Sequence, residues 1–182
     1  FAEDFTLAEL RTLRARERLP AIRPGNVRFN GLYQVPTFEE IVQLVRAKEA
    51  ETGRRIGLYP ELKHPNFLLQ EAGIDMVDLL LRELQRLGVS ETDPVFIQSF
   101  EVANLQYLNG RTDIKLVQLV DANDVNADGS LDFSAPYDQP YDVKAAGGRL
   151  SFADLVSDVG LSFVATYADG IGPWKPYLLK TV

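Results

Sequence analysis

Strand-length apolar runs alternate with helical stretches along most of this chain, and that alternation limits the available folds more than any other feature. The runs are Ile56–Leu62, Val95–Gln98, Lys115–Val120 and Leu161–Tyr167. Between them, Asp75–Leu87 carries leucines at helical spacing and is closed by Gly88, and Glu101–Leu108 ends at Asn109–Gly110. Near-continuous apolar strands separated by helices predict a parallel sheet with helices outside it. An open doubly wound sheet and a (β/α) barrel both fit. No glycine-rich phosphate loop follows any run, which counts against the nucleotide-binding form of the open sheet. In a barrel, Glu61, Gln98, Gln118 and Tyr167 share one rim. A closed barrel takes eight strands. The expectation is therefore α/β: a TIM (β/α)8 barrel present as about four βα units, in one domain over residues 1–182. Its other strands lie outside this chain or come from a second copy.

The remaining elements follow from local signals. Thr6 with Glu9, and Thr37 with Glu40, form capping boxes that predict helices over Thr6–Leu19 and from Thr37 to Gly53. Ala21–Tyr33 and Asn66–Gln70 read as loop or turn. Residues 122–148 are polar and rich in Gly, Pro, Asp and Asn, and read as a loop-rich insert. Ser151 and Asp154 cap a short helix, Phe152–Ser157. Asp169–Pro173 reads as a turn, and a further element starts at Trp174 and runs toward Val182.

The stretch Gly57–Pro65, GLYPELKHP, carries the chemistry. Alternation places Tyr59, Glu61 and Lys63 on one face and Leu58, Pro60 and Leu62 on the other. A carboxylate and an ammonium two residues apart are in reach of one ligand. If buried they need partners, which a metal ion for Glu61 and an anionic substrate for Lys63 would supply. The plainer alternative is a solvated strand end with a surface ion pair.

Composition narrows the chemistry further. A net charge of −7 argues against nucleic acid or an anionic membrane as a general partner. With no cysteine, disulfides, zinc thiolates and thiol nucleophiles are excluded. No apolar run has membrane-spanning length, no signal peptide is visible, and the first residue is Phe1, as expected of a processed or trimmed product. Within the insert, Asp124, Asn126, Asp128, Ser130 and Asp132 place oxygens at calcium-loop spacing around Gly129, although position twelve is Ala135 where an EF-hand has Glu. The expectation is a structural calcium loop, against the alternative of an ordinary Asx-rich turn.

Four stretches in order resemble the glycerophosphodiester phosphodiesterase family: Tyr59–Lys63 with its Glu-x-Lys strand end, Phe96–Phe100, Leu116–Leu119 and Tyr167–Pro173. The last two and the insert between them look like the bacterial periplasmic type, which implies a periplasmic or secreted protein. The resemblance implies a TIM barrel that hydrolyses glycerophosphodiesters to glycerol 3-phosphate and an alcohol, by attack of the glycerol hydroxyl and opening of a cyclic phosphate. It also implies a divalent cofactor, Ca2+ or Mg2+, held by three carboxylates, of which Glu61 alone has a counterpart here. Lys63 would meet the phosphate and Gln98 would position substrate. The family's two proton-transfer histidines have no counterpart, so no catalytic residue is assigned in this chain; the single histidine, His64, matches neither. The alternatives are a non-catalytic module that binds glycerophosphoryl groups or calcium, and a half-barrel that forms a homodimer.

Overall fold

A computed structural model describes residues 2–179. Its centre is a parallel sheet of β1 (Phe96–Ser99), β2 (Lys115–Val120) and β5 (Gly170–Pro173), with β2 in the middle. Phe96 pairs with Lys115 and Val117 with Gly170. The 57–62 segment lies parallel to β1 on its other side, through bridges Leu58–Val95 and Glu61–Gln98. Its ladder runs from Leu58 N–H to Pro94 O, from Phe96 N–H to Leu58 O, from Gln98 N–H to Pro60 O and from Leu62 N–H to Gln98 O. The one missing rung is at Pro60, which has no N–H to give. The predicted strand is thus an extended segment with an interrupted ladder.

Helices α2 (Phe38–Thr52), α4 (Met76–Leu87) and α5 (Val102–Asn109) form where leucine spacing and caps predict them. Thr37 and Glu40 cap α2 reciprocally, and Gly53 closes it at φ 67°. Asp75 caps α4. The core lies between the sheet and these helices, with Ile97, Leu105, Leu108, Leu116 and Leu155 fully buried. Each such side chain contributes roughly 1.5–3 kcal/mol of burial free energy.

Four expectations change. The Thr6–Leu19 helix stops after α1 (Leu7–Leu10), because the Arg14 guanidinium takes the carbonyls of Arg11, Thr12 and Leu13. The Ala21–Tyr33 loop contains a short 3-10 helix, Pro24–Phe29. The Asn66–Gln70 stretch is helical, within α3 (Pro65–Ala72), since Pro65 at the first helical position starts it. Leu161–Tyr167 is not a strand. It falls in and just after α8 (Asp158–Val164), where Ser157 caps Gly160 N–H and Gly160 and Val164 are buried. The β-branched and aromatic residues there suggested a strand, but the cap and the packing on α7 (Phe152–Leu155) prevail. The sheet's edge comes six residues later as β5, in the stretch first read as a turn but included in the Tyr167–Pro173 resemblance.

In the insert, β3 (Asp124–Val125) and β4 (Leu131–Asp132) form a small antiparallel hairpin, followed by α6 (Tyr141–Ala145). The described end of the chain is a 3-10 turn, Lys175–Tyr177; the stretch toward Val182 lies partly outside the described residues. Among the described residues the strands make an open parallel sheet whose second face carries Tyr59 and Phe96, edge to face at 6.3 Å, with Val117 and Leu119 against Gly172. No helix among them is long and apolar enough to cross a membrane.

Candidate active site

A cleft of about 380 Å³ opens at the C-terminal ends of the parallel strands. Parallel sheets place ligands there because successive strand ends and the following loops converge on that rim. Glu61, Lys63 and His64 line it from the extended segment, and Asp121 from just after β2. The insert adds Tyr137, Gln139, Tyr141 and Lys144.

The expected alternation holds at the segment's end. Leu62 is buried, while Glu61 and Lys63 are exposed beside it. Because both charges face water, they carry none of the desolvation cost that burial would impose. Among the described residues neither enters an ion pair, so the strand end is solvated, as the plainer alternative has it, but without the surface pair. They stand as an uncommitted ammonium and an uncommitted carboxylate on one wall.

His64 adopts the left-handed conformation, φ 54° and ψ 46°, the sole non-glycine to do so among the described residues. Both its flanks are held. Ser99 Oγ donates to Leu62 O at 3.1 Å, and Asn66 N–H, in the first turn of α3, donates to Glu101 Oε2 at 3.0 Å. The His64 ring meets Tyr141 edge to face at 6.1 Å, and Phe67 meets the same tyrosine at 6.3 Å.

Gln98 is placed differently. It pairs with Glu61 across the ladder, and its amide donates to Tyr59 O at 3.1 Å, away from the cleft lining. Gln118 and Tyr167, read as rim residues, are buried. The Gln118 amide donates to Phe100 O at 3.0 Å and Leu119 O at 2.9 Å, bracing the ends of β1 and β2. The strand's alternation turns Gln118 toward the helices.

The five oxygen-bearing residues of the hairpin are engaged with one another or with their chain neighbours. Ser130 Oγ donates to Asp128 Oδ1 at 2.6 Å, Asn126 Nδ2 to Ser130 Oγ at 3.0 Å, and Asp132 takes Asn123 Nδ2 and both groups of Ser134. Asp124 takes Val125 N–H. These bonds hold the Asp128 and Asp132 carboxyls below the usual range. Among the described residues no three His, Cys, Asp or Glu side chains converge as a metal site. In the cleft, Glu61, Glu101 and Asp121 bring carboxylates to the lining without converging on one point.

Asp121, Glu101 and the cleft-lining insert residues Tyr137, Gln139, Tyr141 and Lys144 were not singled out from sequence. Asp121 had a usable signal, since it directly follows the predicted strand Lys115–Val120. Tyr141 and Lys144 had none, because only the folded insert brings them to the rim.

The family model described as "Glycerophosphoryl diester phosphodiesterase family" matches residues 1–157. A glycerophosphodiester phosphodiesterase of Arabidopsis thaliana is 30% identical over 187 residues, covering 96% of this chain and 44% of that protein. Proteins of the same name from Treponema pallidum and Haemophilus influenzae are 29% and 27% identical, over 94% and 93% of this chain and 50% and 48% of their own lengths. The chain thus spans about half the length of the curated relatives it matches.

Proposed function

The chain belongs to the glycerophosphoryl diester phosphodiesterase family, and from that premise we propose that it forms the central part of an enzyme that hydrolyses glycerophosphodiesters to glycerol 3-phosphate and an alcohol. The observation that carries this reading is the unpaired Lys63 beside the unpaired Glu61 at the strand-end cleft. A phosphodiester brings one negative charge, and more develops on its oxygens as the bond to the alcohol breaks. An ammonium held at the rim stabilises that charge without reorganising, which lowers the barrier. Tyr137 and Tyr141 give the cleft an amphipathic wall for the glycerol and the alcohol.

The reading also takes a divalent cation, calcium or magnesium, which would polarise the phosphoryl group. Glu61 is the carboxylate placed to bind it. The described residues alone do not fit a complete cation site, so no step is derived through the ion. Proton transfer is assigned to no residue of this chain. In this reading the parallel sheet is the central section of a barrel, with Tyr59, Phe96, Val117 and Leu119 on its inner face.

The test is turnover of glycerophosphocholine by full-length protein, with Glu61→Gln as the variant. The substitution keeps size and polarity but removes the charge that binds the cation. Loss of metal-stimulated hydrolysis is expected. Wild-type turnover in Glu61→Gln would overturn the assignment.

A further inference from the structure

Behind the cleft, the end of β1 grips the chain on both sides of Lys63–His64. Ser99 Oγ gives its proton to Leu62 O, and receives Glu101 N–H at 3.2 Å and Asn104 Nδ2 at 2.8 Å. That exchange fixes which way the Asn104 amide points, leaving Oδ1 turned from Ser99. Glu101 Oε2 takes the Asn66 N–H. Left-handed backbone at a non-glycine persists only when its surroundings over-determine it, and Ser99 and Glu101 do this for His64.

The other oxygens of the same groups tell a second story. Among the described residues, Glu101 Oε1, Asn104 Oδ1 and Asp142 Oδ1 are all buried without a hydrogen-bond partner. Their residues are 2%, 7% and 7% exposed, and all three border one cavity behind the cleft. These are three buried acceptors with no donor among the described residues. Asp142 Oδ2 already receives Val102 N–H at 3.0 Å and Ala103 N–H at 2.7 Å, which ties α6 to the start of α5. A buried acceptor left unpaired costs roughly 1–3 kcal/mol. One proton on Glu101 Oε1 turns that buried acceptor into a donor and removes its charge.

We propose that Glu101 is a positioning residue of this site: its Oε2, through Asn66, fixes the turn that presents Lys63 and His64, while its Oε1, buried on the cavity it shares with Asp142, carries the proton. The groups around it come from every neighbouring element. Helix α6 brings Asp142 and Lys144, the end of β2 brings Asp121, and the α4 cap is Asp75. The turn itself adds Glu61, Lys63 and His64. Asp142 is the one whose charge acts on Glu101. Burial, opposed by the Asn66 N–H and reinforced by Asp142, pushes the Glu101 carboxyl up to about 7. Removing the proton sets two carboxylates against each other and loosens the hold of α6 on α5. One titration then governs both the insert wall and the Lys63–His64 turn.

The activity arm of the test rests on the diesterase reading; the spectroscopic arm does not. In full-length protein, the Glu101 side-chain carboxyl and the His64 and Asn66 amides are followed by NMR from about pH 5 to about pH 8.5. All three resonances are expected to share a midpoint near 7, and Asp142→Asn is expected to lower it. In kinetics, Glu101→Ala is expected to lower kcat/KM about tenfold or more. Glu101→Gln, which can still accept from Asn66 and is uncharged at any pH, is expected to restore it within about threefold and to flatten the profile near neutrality. A Glu101 midpoint in the ordinary carboxyl range, or amides that ignore it, overturns the proposal. So does wild-type kinetics in Glu101→Ala. A wild type that hydrolyses no glycerophosphodiester sinks the functional reading instead, and the shared midpoint still decides the proposal. Asp142→Asn serves if Glu101→Ala does not fold.

Discussion

Tyr167 gives its phenolic proton to Gln118 Oε1 across 2.9 Å, with both side chains buried between the sheet and α8. The pair closes a network that runs through the Gln118 amide to the last carbonyls of β1 and to β2 itself. Burial pushes the Tyr167 hydroxyl well above the usual phenol range, so it stays a donor at any physiological pH.

Removing one end strands the other. Gln118→Ala leaves Tyr167 without an acceptor and Phe100 O without its side-chain donor. The expected loss is about 2–4 kcal/mol. Tyr167→Phe orphans only Gln118 Oε1 and costs about 1–2 kcal/mol. Urea denaturation of both singles and the double variant checks this, with the double losing less than the sum of the singles.

This buried pair also shows what the sequence conceals. Gln118 and Tyr167 were legible as polar groups near strand ends, but not as groups that satisfy each other. The amide's direction depends on which face of β2 meets the helices, and Tyr167 belongs to the turn after α8 instead of a strand. Caps were legible because their partners lie three residues away: Thr6, Thr37 and Ser151 all close capping boxes. The exposure of Glu61 and Lys63 on either side of buried Leu62 was legible for the same local reason. Glu101 was not, since its meaning depends on Asn66 and Asp142, 35 residues before it and about 40 after.

Stability should fall between pH 4.5 and about 7 through Glu101. Its folded-state value is raised, so folded protein binds the proton more tightly than unfolded chain. That contribution is fully present below the unfolded value and is lost as pH rises through the folded one. Its size, discounted for solvent screening at the cleft, is about 1–2 kcal/mol. Thermal denaturation of wild type and Glu101→Gln across this window checks it: the downward slope should flatten in the variant.

Gly160→Ala should destabilise the α7–α8 corner. A methyl group there would meet the backbone of Leu155 at 2.7 Å and crowd Asp154 O as well. Neither is the yielding end of a side chain, so the helices must part. A loss of about 1–3 kcal/mol is expected. Gly170→Ala, where nothing lies within 4 Å, serves as the control in the same denaturation series.

Lys63→Ala separates function from folding. The side chain is exposed and unpaired, so stability should move by less than about 0.5 kcal/mol. In the diesterase reading, kcat/KM in full-length protein should fall about a hundredfold or more. Melting temperature and glycerophosphocholine turnover measured on one preparation check both halves.

The β3–β4 hairpin meets its hydrogen-bonding needs within itself, and its tip at Ala127–Asp128 faces water. The insert is tied to the body mainly through α6, where Asp142 takes the Val102 and Ala103 N–H groups and Tyr141 meets His64 and Phe67. The insert therefore has a dispensable end and an anchored end. An epitope or a fluorescent domain spliced at Ala127–Asp128 would leave that anchor untouched, while a deletion reaching Asp142 would remove the far wall of the cleft.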